Sequence, residues 1–352
     1  MTKPTPIPIR PFDDPSKGEQ ESVHDVYEDI AGHFAQTRYK PWPIIESFLL
    51  SLLPHSLGID LGAGNGKYLP TALKAGLEMI AVDRSFGLLK IAKDLVGDKG
   101  DCVRGDLCGK SWRGVFDFAI SIAAIHHLST HLRRLDAVRT LISTLQLNSQ
   151  PPYSRFMIYV WAYEQGSSSR RKMGTTTTSP MVDSTSSTSN TNQSSQTHPT
   201  HEFDVSSSSH HSKIIEDTSD MSRIEPTTIT EKNIEVKEQD VLVPWVIPSQ
   251  SSRSKRATTE IEIVTNDQKV SSEKQKVYHR YYHLFVQGEL HQLVVDAARA
   301  EGFDHIDDEQ PSGGNHGELG KPENEKRRWM RMRSQGWEKD NWWLEAEVGF
   351  RS

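Results

Sequence analysis

The chain has 352 residues, 35% of them hydrophobic, with a formal net charge of −6 and a low mean hydropathy of −0.59. This acidity argues against a general nucleic-acid-binding surface, and two cysteines, Cys102 and Cys108, exclude a disulfide scaffold and a four-cysteine zinc site within the sequence. No run approaches the ~18 uninterrupted apolar residues of a membrane span. We therefore expect no membrane association and a cytoplasmic, or also nuclear, location.

The first elements follow a polar, proline-rich leader. Residues 1–22 have the composition of disordered chain, so we predict a disordered leader. Apolar residues at helical spacing then predict a helix over 22–38, which the prolines of RYKPWP end. A second short helix is predicted in IIESFLLSLLP.

Strands and helices alternate in the next part of the chain. Strands are predicted at 56–60, 78–83, 102–106, 116–124 and 155–162, and helices at 67–76, 86–97 and 132–145. Strands separated by helices of ~10–15 residues indicate a parallel sheet. We therefore predict an α/β, Rossmann-like fold: a mostly parallel seven-stranded sheet with helices on both faces and disordered insertions.

The later part of the chain is less regular. Its Ser/Thr-rich stretch predicts a disordered insertion, QDVLVPW returns to order, and a helix ends at Gly302. A charged segment at about 306–335 is predicted as a loop before a final strand in NWWLEAEV. The predicted divisions are a leader (1–22), a core (23–165), an insertion (166–238) and a C-terminal part of the same fold with polar loops (239–352).

The segment most indicative of chemistry is DLGAGNGK, which starts at Asp60. A buried strand ends in an acid and meets a glycine-rich turn, where the backbone can approach a ligand closely. The spacing is Gly-x-Gly-x-Gly, which differs from NAD-binding sites, and the turn lacks residues that a phosphate loop requires. This argues against an NAD oxidoreductase and favours a nucleoside without a pyrophosphate; an ordinary tight turn is the structural alternative.

Acids also end two further strands. Asp83 is placed to accept ribose hydroxyls, and Asp106 to reach an adenine amine; a helix cap and a solvated loop acid are the alternatives. The end of the fourth strand, which includes Ile122, lies where open α/β sheets bind ligands. This arrangement resembles the S-adenosylmethionine site of class I methyltransferases. The candidate cofactor-binding residues are Asp60, Gly62, Ala63, Gly64, Gly66, Asp83, Asp106 and Ile122, and we expect no metal.

Several segments resemble one family in particular, the tRNA wobble-uridine methyltransferases that esterify a 5-carboxymethyl group. They are HFAQTRYKPWP (33–43), DLGAGNGKYL (60–69), SIAAIHHLST (121–130), QDVLVPW (239–245), YYHLFVQGEL (281–290) and WEKDNWW (337–343). The resemblance implies S-adenosylmethionine-dependent methylation of that carboxylate to the methyl ester. It also implies a small zinc-binding activator protein as a partner. The sequence departs from the family in Ala63, where cysteine is usual, and in the long Ser/Thr insertion.

The implied reaction needs orientation more than proton transfer. A carboxylic acid with a pKa near ~4 is ionised at neutral pH, so no general base is required. One arginine should orient one carboxylate oxygen and leave the other free. The candidate catalytic residues are Arg38, Arg133 and Arg134 as cations, with His127 and Tyr39 as further hydrogen-bonding groups. A solvated helix start is the alternative for the arginine pair.

The implied substrate is a tRNA anticodon loop, whose bases can be splayed into a pocket. Trp42 and Trp161 could stack on the base, and the basic run 326–333 could follow phosphates or be a solvated loop. Two other functions stay open. One is a class I methyltransferase for a small molecule or a protein, and the other is a non-catalytic, methyltransferase-like scaffold that binds RNA.

Overall fold

The structure, a computed structural model, describes residues 4–109, 112–166, 238–248, 276–306 and 327–351. Nearly all of the predicted 166–238 insertion lies outside these ranges. The helices are Pro15–Glu19 (α1), Asp25–Thr37 (α2), Pro43–Leu50 (α3), Leu69–Lys74 (α4), Phe86–Val96 (α5), His131–Ser143 (α6) and Glu289–Ala300 (α7). The strands are Ile7–Pro8 (β1), Leu57–Leu61 (β2), Glu78–Asp83 (β3), Asp101–Arg104 (β4), Phe118–Ile122 (β5), Ser154–Trp161 (β6), Asp240–Ile247 (β7), Lys276–His283 (β8), Phe303–His305 (β9), Arg327–Trp337 (β10) and Asn341–Arg351 (β11).

The main sheet has the strand order β4-β3-β2-β5-β6-β11-β10-β9. Its strands pair in parallel except that β11 runs antiparallel to both neighbours, β6 and β10. The predicted fold class is therefore confirmed, with eight strands in the described sheet instead of seven. The central strand β5 is buried along its whole length, as its sequence FAISI requires of a strand covered on both faces.

Helices cover both faces of this sheet. Apolar residues of α6 and α7 pack on one face, and those of α3, α4 and α5 pack on the other. Local signals set the ends of these helices: the Ser85 hydroxyl accepts the Leu88 N–H at the start of α5, and Gly97 ends it with φ of 58°. Thr130 caps α6 in the same way, through the Arg133 N–H.

A second sheet of three antiparallel strands, β1-β7-β8, was not predicted. It includes the QDVLVPW segment, and it shows that the C-terminal part of the chain contributes to two sheets. Within the described ranges no helix has the length and apolar character needed to cross a bilayer, and no three His, Cys, Asp or Glu side chains are grouped as metal ligands.

The prediction that the leader is disordered is wrong for the residues that the structure describes. β1 pairs with β7, and α1 begins at Pro15. The Asp14 side chain caps this helix by accepting the Lys17 N–H. Glu19 is 1% exposed and accepts hydrogen bonds from the Ser129 N–H and the Arg133 guanidinium. Pairing partners far along the chain order this segment, and its own composition does not reveal them.

The charged segment predicted as a loop before the last strand contains most of β10. Two of its arginines are compensated by acids on β11: Arg331 pairs with Glu347, and Arg333 pairs with both Glu345 and Glu347. This cross-strand pairing stabilises a strand that looks too charged to fold when it is read alone. Residues 307–326 lie outside the described ranges.

Candidate active site

A cavity opens at the carboxyl ends of β2, β3 and β5, where open α/β sheets bind ligands. Seven of the eight residues predicted to bind the cofactor line it. They are Asp60, Gly62, Ala63, Gly64, Asp83, Asp106 and Ile122. Gly66 is the exception, because it faces helix α5: a Cβ there would lie 2.7 Å from the Ala92 Cβ. Gly66 therefore shapes the turn without lining the cavity.

Two glycines of the glycine-rich turn have different surroundings: Gly62 packs against protein atoms, and Gly64 faces open space. Gly62 has φ of 85°, and a Cβ there would lie 2.3 Å from the Ala124 Cβ. Gly64 has φ of 57°, and the nearest atom to a Cβ there is a Phe34 ring carbon at 3.9 Å. The backbone at Gly64 is thus open to the cavity, as close approach to a ligand requires.

Asp60 is the most unusual group in the cavity. It is 1% exposed, and neither carboxylate oxygen has a hydrogen-bond partner. Burial, with a further contribution from Asp83, raises its pKa to about 8. Lys67 lies close by with its ammonium 4.0 Å from the Trp42 ring centroid, and burial lowers the pKa of Lys67 to about 8. A buried acid without partners is expected to receive a ligand cation.

Asp83 holds the turn in place. One of its oxygens accepts the Gly64 N–H at 2.8 Å, and the other accepts the Ser85 N–H at 2.9 Å. Burial raises the pKa of Asp83 although these bonds lower it. The alternative role for Asp83, capping α5, belongs to Ser85. Asp83 therefore lines the cavity with a fixed orientation, which suits recognition of ribose hydroxyls.

Asp106 lines the cavity but is already paired. Arg84 donates to one oxygen at 2.8 Å, and the Cys108 N–H donates to the other at 2.9 Å. Burial raises the pKa of Asp106, but the Cys108 N–H, Arg133 and Arg84 lower it further, so the group stays ionised. Its contribution to adenine recognition stays a prediction.

The N-terminal segment forms a wall of the cavity that the sequence does not predict. Val23, His24, Tyr27 and Phe34 line it from the π-helical turn Gln20–His24 and helix α2. His24 Nε2 is buried without a hydrogen-bond partner, and burial lowers the pKa of His24 to about 4. The available signal was that His24 and Tyr27 lie three residues apart in a predicted helix.

His127 is held in one tautomer. Its Nδ1 lies 2.7 Å from the Tyr281 carbonyl oxygen, so Nδ1 carries the proton and Nε2 accepts from the Tyr27 hydroxyl at 2.9 Å. Burial lowers the pKa of His127 to about 3, which keeps the ring neutral. His127 lines the cavity as a support for Tyr27, and both of its nitrogens are occupied.

The three candidate arginines are in different surroundings, and none lines the cavity. Arg133 binds the buried Glu19, and Arg134 donates to the Leu128 carbonyl at 2.9 Å. Both therefore stabilise the fold around the end of β5. The Arg38 guanidinium lies 5.1 Å from the Trp245 ring centroid, next to the cavity wall.

The two tryptophans suggested for base stacking already have partners. Trp42 packs on Tyr159 at 4.7 Å between ring centroids, and Trp161 stacks on Tyr282 at 4.1 Å. Arg331 and Arg333 in the basic run are ion-paired, which leaves less positive charge for phosphates than the sequence suggests.

S-adenosylmethionine fits the groups that the cavity offers. Its ammonium suits the unpartnered Asp60, its carboxylate suits Lys67, and its ribose suits Asp83. Residues 59–143 match the family model of a methyltransferase domain. Fold, cavity and domain match together define a class I methyltransferase, and S-adenosylmethionine is its cofactor.

The sequence relatives identify one family within this class of methyltransferases. A tRNA (carboxymethyluridine(34)-5-O)-methyltransferase from Schizosaccharomyces pombe is 30% identical over 330 residues, which cover 94% of this chain and 97% of the relative. The chain belongs to this family. The Saccharomyces cerevisiae enzyme of the same name is 46% identical over 152 residues, 43% of this chain; the match spans about half, 52%, of that relative.

A solved complex between the Haloferax volcanii Trm112 methyltransferase activator and a methyltransferase shows a weaker likeness. The identity is 18% and the TM-score 0.35, over 41% of this chain and 62% of that one.

Proposed function

We propose that this protein transfers the methyl group of S-adenosylmethionine to the carboxylate of 5-carboxymethyluridine at the tRNA wobble position, forming the methyl ester. The observation that carries the proposal is the match to the Schizosaccharomyces pombe enzyme over nearly the full length of both chains. The cavity supports it, because its acid, lysine and glycine turn suit the cofactor. A cytoplasmic or nuclear location stays a prediction.

The chemistry requires placement of two reactants in a dry site. S-adenosylmethionine supplies an electrophilic methyl group, and the ionised carboxylate attacks it without a general base. The neutral His127, with both nitrogens hydrogen-bonded, agrees with a site that moves no proton. Tyr27, His127 and the N-terminal wall position the reactants and exclude water.

We place the anticodon loop next to the turn that follows α2. Tyr39 there is 60% exposed, and Arg38 and Lys40 flank it. Asn65 of the glycine turn donates to the Arg38 carbonyl at 3.4 Å, which links this segment to the cofactor site. Exposed aromatic and cationic side chains suit a single-stranded RNA loop. A small zinc-binding activator completes the proposed assembly, as the family resemblance implies.

The test is methyl transfer from labelled S-adenosylmethionine to tRNA that carries 5-carboxymethyluridine, with and without the activator. We expect label in the anticodon loop that mild alkali removes, because an ester is labile. Matched tRNA without the carboxymethyl group is the control. Transfer to that control, or alkali-stable label, would instead indicate a different methyl acceptor.

Calorimetry with the cofactor, combined with the transfer assay, distinguishes the proposed enzyme from a non-catalytic scaffold that binds RNA. A non-catalytic scaffold would bind tRNA and transfer no label with any acceptor. Micromolar or tighter cofactor binding together with transfer would reject that interpretation.

A further inference from the structure

Arg280 on β8 is a buried cation with no acid to neutralise it. It is 5% exposed, and its Nε has no hydrogen-bond partner. In the parts of the chain that the structure describes, no carboxylate forms an ion pair with Arg280. An arginine stays protonated in proteins, and burying a charge without a counterion is costly. The site therefore suits an anion from outside the chain.

Three aromatic rings enclose this guanidinium. Its carbon lies 4.6 Å from the Trp245 ring centroid, 5.2 Å from that of Tyr282 and 5.8 Å from that of Tyr27. Cation–π contacts offset part of the cost of burial and hold the group in place, but they do not supply the negative charge of a counterion. Arg38 contacts the same Trp245 ring and adds a second positive charge.

Directed hydrogen bonds connect Arg280 to the wall of the cofactor cavity. Because Nδ1 of His127 donates to a carbonyl, Nε2 accepts from the Tyr27 hydroxyl, and the Tyr27 oxygen then accepts from Arg280 Nη1 at 3.2 Å. Tyr27 and His127 both line the cavity. Arg280 is thus one side chain away from it, and its Nε–H has no acceptor in the described part of the chain.

We propose that Arg280 recognises the carboxylate of the 5-carboxymethyl group, so that the enzyme selects the acid over neutral uridine substituents. This inference rests on the proposed function and names the group that provides its specificity. Tyr27 fixes the guanidinium from one side, and Arg38 contributes further positive potential. A single arginine held in this way can orient one carboxylate oxygen and leave the other free to react.

The test compares two RNA ligands that differ only in charge. Anticodon stem-loops carrying 5-carboxymethyluridine, or its neutral amide analogue, are titrated into the full chain with its activator and S-adenosylhomocysteine. We expect the wild type to prefer the acid by at least tenfold. Arg280→Met should reduce this preference towards one, because it keeps the length of the side chain and removes its charge. Arg299→Met is the matched control, since Arg299 is exposed on α7 and pairs with Asp296.

A second variant distinguishes a loss of carboxylate recognition from misfolding. Arg280→Lys keeps the charge but loses the planar donors, and it should retain only part of the preference while melting near the wild-type temperature. A structural role for Arg280 predicts something different: both ligands would weaken by the same factor and their ratio would not change. That result, in either variant, would overturn the inference.

The same experiment distinguishes a failure of the Arg280 assignment from a failure of the proposed function. If the wild type transfers methyl to the acid and prefers it, but the Arg280 variants keep the same preference, only the assignment of Arg280 is wrong. A wild type that neither prefers nor methylates the acid would overturn both proposals.

Discussion

Asp60 and Lys67 occupy one corner of the cavity, and burial moves the pKa of each to about 8. At neutral pH the free protein therefore holds a proton on Asp60. A ligand ammonium next to this carboxyl favours the ionised form. Binding of the cofactor should then release that proton, so its affinity should rise as the pH rises from about 6 to about 7; closer to pH 8, Lys67 begins to lose the charge that binds the cofactor carboxylate.

Asp60→Asn tests this linkage. Near pH 7 we expect the wild type to release close to one proton on binding, and the variant to release almost none. The variant should also bind more weakly by about 2 kcal/mol, the usual size of a hydrogen bond to a charged group. Calorimetry in buffers of different ionisation enthalpy measures both quantities. Asp94→Asn, at an exposed position on α5, is the control; equal proton release in both variants would contradict the assignment.

Sequence predicts some of these residues and not others for a physical reason. Asp60 and Asp83 were predictable because parallel strands bring their carboxyl ends to one edge of a sheet. Tyr27 and Arg280 meet through a tertiary contact between α2 and β8, and no local pattern reports that contact. Arg133 was a plausible cation for the substrate until the structure placed the buried Glu19 against it.

At the scale of elements, His283 joins β7, β8 and α7. Its Nδ1 lies 2.8 Å from an Asp240 oxygen, and its Nε2 lies 2.7 Å from a Glu289 oxygen. Both nitrogens face carboxylates, so the ring binds best as an imidazolium. Burial lowers the pKa of His283, but the two acids raise it above its ordinary value, and the pKa of each acid falls in turn although burial opposes this.

The pH dependence of stability follows from these directions. The raised pKa of His283 means that its contribution is complete below the unfolded value near ~6.5 and is lost as the pH rises through the folded value. The lowered pKa values of Asp240 and Glu289 mean that their contribution is lost as the pH falls below about 4.

His283→Gln should therefore destabilise the protein by about 2 kcal/mol at pH 6 and by less at pH 9, because a buried charged hydrogen bond is lost mainly at the lower pH. Denaturant titrations at the two pH values measure the difference. His131→Gln, at an exposed position on α6, is the control. A destabilisation that is the same at both pH values would show that His283 acts while neutral.

Elements differ in how far their own sequence determines them. The core strands and α5 carry their apolar pattern and caps locally, so their positions were predicted to within a few residues. β1 exists because it pairs with β7, and β10 exists because β11 supplies acids opposite its arginines. Those stabilising groups lie elsewhere in the chain, which is why both segments looked unstructured.

For the whole molecule, the pairing of Ile247 with Lys276 brings the ends of β7 and β8 together. The 28 residues 248–275 connect these adjacent ends. Loop-closure entropy grows slowly with length, so a two-residue turn should stabilise the protein by about 2 kcal/mol.

Replacing 248–275 with Asn-Gly tests this. We expect a higher melting temperature and unchanged cofactor affinity, measured by calorimetry on the same samples. An unfolded variant, or a lower melting temperature, would show that the replaced residues contribute to folding beyond connecting the strands.

The position of β11 has a consequence for synthesis on the ribosome. β11 lies between β6 and β10, and its Leu344, Ala346 and Val348 are fully buried. Since translation proceeds from the N-terminus, β6 is synthesised long before β11. Until β11 is made, the backbone groups along that edge of β6 have no strand to pair with. Such an edge can pair with other nascent chains. The protein should therefore depend on chaperones while β6 is made and β11 is not.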